Sequence, residues 1–177
     1  MNKKGVSLVI IAIVIIAVVV IGGVAYWAMT NTGGDGGNGG NGGEDVYTVA
    51  NATSLQFTIS ATEGTSAGTT IYSAKNIGTD NMMIRVEIQA EGMSFIYIVN
   101  GAEQKAWADE GSGWVDLSTT FSTQWDAWKP VFSAYSASFE DWVSGDYIFT
   151  DSDGYAVTVS DISINPTLAD SLFEGTT

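Results

Sequence analysis

The sequence predicts a mainly β (α+β) fold: an antiparallel sheet of about eight strands and one long helix, preceded by one transmembrane helix. Three observations predict it. Residues 6–29 form an apolar run without a charge. Further on, apolar residues alternate with polar ones in short segments separated by Gly, Asn and Asp, as half-buried strands do. Between Phe121 and Trp142, large aromatic residues recur at helical spacing instead.

The apolar run comes first. As a helix, residues 6–29 reach about 36 Å, enough for a hydrocarbon core of roughly 30 Å. Tyr26 and Trp27 stand near its end, where aromatic rings favour the membrane interface. Lys3 and Lys4 precede it, and the next charges are Asp35, Glu44 and Asp45. The positive-inside rule then makes residues 1–5 a cytoplasmic basic leader and places the C-terminal domain outside, on a single-pass protein of the cell membrane. A cleaved secretory signal is the rival reading. The run exceeds the roughly 7–15 residues of such signals, and Tyr26 and Trp27 occupy the place of a small-residue cleavage site.

Residues 30–45 read as a flexible linker. Gly33 to Gly43 run GGDGGNGGNGG, a chain with almost nothing to bury and much entropy to lose. Such a tether spans roughly 17–20 Å. Residues 46–177 are left as one extracytoplasmic β-rich domain, long enough for one core. From residue 44 onward the only bases are Lys75, Arg85, Lys105 and Lys129, against 19 acids.

Within the domain, a short helix is expected over residues 45–52. Leu55, Phe57, Ile59 and Ala61 then alternate as one strand. Residues 69–75 form a second, turning at Asn76-Ile77-Gly78. Met82, Ile84, Val86, Ile88 and Ala90 line a third, Glu91-Gly92 reverses the chain, and residues 93–99 return with apolar groups on both faces. Asn100-Gly101 signals a tight turn. Residues 104–108 and 114–117 pair around Glu110-Gly111. Residues 147–150 and 155–164 flank Asp153-Gly154, and the apolar parity shifts near Asp161, which predicts a bulge.

The helix carries Phe121, Trp125, Trp128, Phe132, Tyr135, Phe139 and Trp142, spaced alternately by four and three. Ser118, Thr119 and Thr120 offer N-caps, and Gly145 offers a terminator. Pro130 is expected to kink the helix or split it. A shorter helix is expected from Pro166 at its first position to Phe173. The aromatic stripe has two readings: the core face of a helix lying across the sheet, or one wall of an apolar site. Both can hold for a lid.

Composition removes much chemistry. The formal charge of −14 repels phosphate, so nucleic acid is no partner. The chain has no His and no Cys, which excludes disulfides, thiol nucleophiles, Ser-His-Asp arrangements and the usual zinc sites. The carboxylate pairs Asp109/Glu110, Glu140/Asp141 and Asp151/Asp153 read as solvated surface, and Asp151-Ser152-Asp153-Gly154 as a hairpin turn in place of a calcium loop. No catalytic residue, metal ligand or cofactor is expected; the chain reads as a non-enzyme. Asn51-Ala52-Thr53 is an N-glycosylation acceptor pattern, whereas Pro166 excludes Asn165-Pro166-Thr167.

Two stretches resemble known families. Lys3-Lys4-Gly5-Val6-Ser7 before the apolar run resembles the class III, prepilin-like signals of archaeal surface proteins, which implies cleavage between Gly5 and Val6. Ile10 stands where many mature pilins carry an acid. In the domain, Arg85-Val86-Glu87, Ile98-Val99-Asn100-Gly101, Lys105-Ala106-Trp107, Trp114-Val115-Asp116-Leu117 and the tail Asp170-Ser171-Leu172-Phe173 resemble the outer-membrane lipoprotein carrier (LolA-like) superfamily. That resemblance implies a curved half-barrel with a helical lid over an apolar concave face, and a tail that packs back on the sheet. The lipobox Cys of lipoproteins is missing here, and a transmembrane helix takes the anchor's place.

The expected function is non-covalent binding of a lipid or other amphipathic ligand by a membrane-anchored domain. Phe121, Trp125, Trp128, Phe132, Tyr135, Phe139 and Trp142 are the candidate ligand-binding residues. The alternatives are a pilin-like or adhesive surface subunit, which the Gly-rich linker disfavours, and a ligand-free component of an envelope complex. Protein partners are not legible.

Overall fold

A computed structural model describes residues 48–61, 68–90, 92–150 and 154–175. The expected transmembrane run 6–29, the Gly5-Val6 processing site, the linker 30–45 and Asp151-Ser152-Asp153 lie outside the described residues. Among the described residues no helix is long and apolar enough to cross a membrane.

Alternating sequence becomes one antiparallel sheet. Its strands are β1 (Ser54–Ala61), β2 (Gly68–Lys75), β3 (Met83–Ala90), β4 (Met93–Asn100), β5 (Lys105–Asp109), β6 (Trp114–Asp116), β7 (Tyr147–Thr150) and β8 (Ala156–Ile164). Their spatial order is β6-β5-β4-β3-β2-β1-β8-β7, an open sheet with β6 and β7 at its edges. The helix α1 (Phe121–Ser138) lies between those two edges in sequence. It therefore has to cross the sheet, and it does so on the face that β1 buries.

Strand β1 shows strict alternation: Leu55, Phe57, Ile59 and Ala61 are buried, while Ser54, Gln56, Thr58 and Ser60 are half-buried. Register aligns Phe57 with Tyr72, Tyr72 with Val86, Val86 with Tyr97, and Tyr97 with Ala108. One row thus crosses five strands on the inner face. On β8 the parity shift is a bulge: Gln56 pairs with Ser163 and Thr58 with Ser160, so Asp161 and Ile162 together oppose Phe57. Asp161 takes φ 53°, a left-handed conformation that a short acidic side chain tolerates better than a branched one.

Strand β4 is apolar on both sides because both sides are covered. Ile98 and Trp107 face outward, where the C-terminal segment lies on them and Phe173 is fully buried. Lys75 pairs with Asp170 and stands 5.2 Å from the Phe173 ring centre, and Arg85 donates to the Leu172 carbonyl. The segment begins at Asn165, whose N–H donates to Ser54 O and whose Oδ1 accepts the Thr53 N–H at 2.8 Å and the Ser54 N–H at 3.2 Å. Removing that oxygen strands two backbone donors. Asn165→Ala is expected to lower stability by about 2 kcal/mol, read as a lower urea midpoint with an unchanged slope.

Several local expectations are corrected. The turn expected at Asn100-Gly101 is present and longer than those two residues: 101–104 connect β4 to β5, with buried Asn100 accepting the Glu103 N–H. Residues 166–169 are not helical; Ala169 is extended, and only Asp170–Phe173 make a 3-10 turn. Extension lets Leu168, Leu172 and Phe173 all reach the outer apolar surface. At the domain's start the described helix is a single 3-10 turn, Val49–Asn51.

Candidate functional site

The site is the interface between α1 and the inner face. The rings of α1 meet β4, β2 and β1. Trp128 lies 5.1 Å from Tyr97 on β4, Phe132 lies 5.8 Å from Phe57 and 6.5 Å from Tyr72, and Tyr135 lies 5.5 Å from Tyr72. Phe139 meets Phe57 edge-on at 5.0 Å and Tyr147 on β7 at 6.3 Å. Edge-to-face and offset pairs at these distances add to the burial of the rings themselves.

The seven predicted residues divide in two. Trp128, Phe132, Tyr135 and Phe139 are 1–4 % exposed, wholly within the core. Phe121, Trp125 and Trp142 are partly covered and pack on its margin. Phe121 and Trp125 pair at 5.7 Å at the start of the helix. Lys129, one turn on from Trp125, sits 4.8 Å above that indole. At the far end the Trp142 indole N–H donates to Gly145 O at 2.7 Å.

Three details of the helix differ from expectation, and a fourth is narrowed. Of the two outcomes expected at Pro130, a kink or a split, the split does not occur: Pro130 lies inside one uninterrupted helix. It is exposed, as is Asp126, whose carbonyl loses its i+4 donor and can take water instead. The helix ends at Ser138, so Phe139 and Trp142 extend the stripe from the turns beyond it. Ser136 and Ser138 donate their hydroxyls to the carbonyls three residues back, a local alternative to the helical ladder. Gly145 is therefore no helix terminator; with φ 78° it serves the loop before β7. At the other end no side chain caps α1. Ser118 instead accepts the Ala106 N–H on β5, and residues Ser118–Thr120 form a 3-10 turn leading into α1.

Only part of the sheet's contribution is legible in the sequence. Phe57 carries a period-two signal, but Tyr72 and Tyr97 become part of the site through register, which a strand read alone does not reveal. Tyr97 O–H donates to Glu110 Oε1 at 3.3 Å. Burial pushes the Tyr97 hydroxyl well above its ordinary value of 10.0, with Glu110 adding to the rise. Burial does the same to Tyr72, reinforced by Tyr135. Both groups bind their protons more tightly folded than unfolded. The stability they contribute is complete below pH 10.0 and is lost as pH rises above it. Alkaline melting curves are expected to fall steeply above that point, and less steeply in Tyr72→Phe and Tyr97→Phe.

Of the carboxylate pairs, Asp109 accepts the N–H groups of Gly111 and Gly113 and so builds the β5–β6 loop, while Glu140 and Asp141 are exposed. Among the described residues no three acidic side chains gather into a metal-binding group. Asn51 is exposed at the end of its 3-10 turn. Comparison with protein-family models, curated proteins and solved structures finds no match to this chain.

Proposed function

We propose that the chain is a single-pass membrane protein whose extracytoplasmic domain binds a lipid or other amphipathic ligand between α1 and the inner face of the sheet. Lys3 and Lys4 ahead of an uncharged run support the orientation. In this reading the open sheet curls as a half-barrel, as in the LolA-like superfamily, and α1 is its lid. Gly5-Val6 is the processing site of a prepilin-like leader, and the Gly-rich tether lets the domain sample the membrane surface.

One observation carries the reading: aromatic rings are concentrated where α1 and the turn beyond it lie across the inner face of the sheet. Phe57, Tyr72 and Tyr97 face Trp128, Phe132, Tyr135 and Phe139, and three more rings stand at the margin. The partly covered Phe121, Trp125 and Trp142 are the surfaces an apolar chain meets first. Lifting α1 exposes the sealed rings, and an acyl chain that replaces their contacts gains about 25 cal/mol per Å² of apolar surface removed from water.

The depth of burial favours a second reading, in which the stripe is core alone and the domain is a surface structural subunit or a ligand-free part of an envelope complex. The two separate in a titration of the full-length chain, in neutral-lipid nanodiscs, with a fluorescent polyene fatty acid. Ligand binding predicts saturable energy transfer from tryptophan to the polyene, weakened about tenfold or more by Trp125→Ala with Trp142→Ala in a protein that still melts cooperatively. Transfer that rises linearly and is indifferent to those substitutions supports the core-only reading.

A further inference from the structure

We infer that Asn51 is N-glycosylated, and that the sugar is transferred before the C-terminal segment docks. The inference rests on the extracytoplasmic placement of residues 46–177 proposed above. Asn51-Ala52-Thr53 has the acceptor pattern, and Asn51 is exposed at the junction between tether and domain. Its Oδ1 accepts the Thr48 N–H at 2.7 Å. A sugar bonded to Nδ2 leaves that oxygen in place as the acceptor of the Thr48 N–H.

The reaction needs a sugar activated by a lipid-linked phosphate. Nδ2 attacks the anomeric carbon; the N–C bond forms as the bond from that carbon to the phosphate oxygen breaks. The amide gives up one proton, and the lipid phosphate leaves with the bonding pair.

The timing follows from Thr53. Its hydroxyl is what makes the tripeptide an acceptor. In the fold that hydroxyl donates to Asn165 Oδ1 at 3.1 Å, and the Thr53 N–H donates to the same oxygen at 2.8 Å. The two residues are 112 positions apart. They meet only after β8 has paired with β1 and Asn165 has closed over Ser54. The unfolded chain therefore offers the hydroxyl, and the folded domain withholds it. The second Asn-x-Thr in the domain supplies this lock, while Pro166 bars it from being an acceptor itself.

The test begins with the intact mass and peptide sequence of the full chain from the membranes of the cell that makes it. A carbohydrate increment on the peptide bearing Asn51, lost in Asn51→Gln, is expected. A bare Asn51 in a chain that added protease digests on intact cells overturns the inference while leaving the topology standing. A bare Asn51 in a protease-protected chain overturns the topology and the inference with it. Timing is read on unglycosylated chain from a host lacking the machinery, offered folded to the source membranes. Wild type and Val157→Ala, which loosens the core away from Thr53, are expected to remain unmodified, and Asn165→Ala to be modified at least tenfold faster. Equal rates for all three overturn the order of events.

Discussion

Phe57→Ala is expected to cost about 3–5 kcal/mol, the range for a large aromatic lost from a packed core. Phe57 is fully buried and holds three rings at once: Tyr72 beside it at 5.1 Å, Phe132 at 5.8 Å and Phe139 at 5.0 Å. It also stands opposite the β8 bulge, so the strands on either side cannot close over the gap without shifting register. A domain with about 5–15 kcal/mol in total loses a large fraction of its stability. Thermal melting should fall by roughly 10–20 °C. A fall of only a few degrees would mean that α1 does not rest on this row.

Gly101→Ala is expected to cost about 3 kcal/mol, at the upper end for added volume in a packed region. A Cβ there would stand 2.6 Å from the Asp80 carbonyl oxygen, 2.7 Å from that of Met82 and 2.9 Å from Trp125 Cη2. Two of the three obstacles are backbone, and the Gly101 N–H already donates to Met82 O. The methyl group must therefore push Trp125 aside. Chemical denaturation and the Trp125 emission should report it together: a lower midpoint and a red-shifted spectrum. Destabilisation without any change at Trp125 would mean that the indole does not pack on this loop.

These two positions also show what could be read from sequence. Phe57 was legible because period two makes one face of β1 apolar over its whole length. The β8 bulge was legible for the same reason, since a parity change has no other explanation within one strand. The aromatic stripe was legible as helical, but its division was not. Whether Trp128 is sealed and Trp125 marginal depends on where α1 crosses the sheet, a long-range property set by strand order. Gly101 looked like a turn glycine beside Asn100. Its constraint is instead the approach of residues 80–82 and Trp125, which no local pattern encodes. Ser118 looked like a cap and is a tie to β5, because a hydroxyl serves whichever N–H the fold brings near. The outer cluster of Ile98, Trp107 and Phe173 was half legible: a strand apolar on both faces announces a second cover without saying which segment provides it.

The binding proposed above seats an amphipathic ligand against the rings under α1. The most direct measurement is native mass spectrometry of the full-length chain released from its own membranes. Ligand binding predicts a discrete adduct of lipid mass, about one per chain, that is depleted in Trp125→Ala with Trp142→Ala while both proteins remain folded. A folded chain that carries no adduct, from its own membranes and after exposure to neutral, cationic and anionic lipids, would contradict it and leave the stripe as core alone.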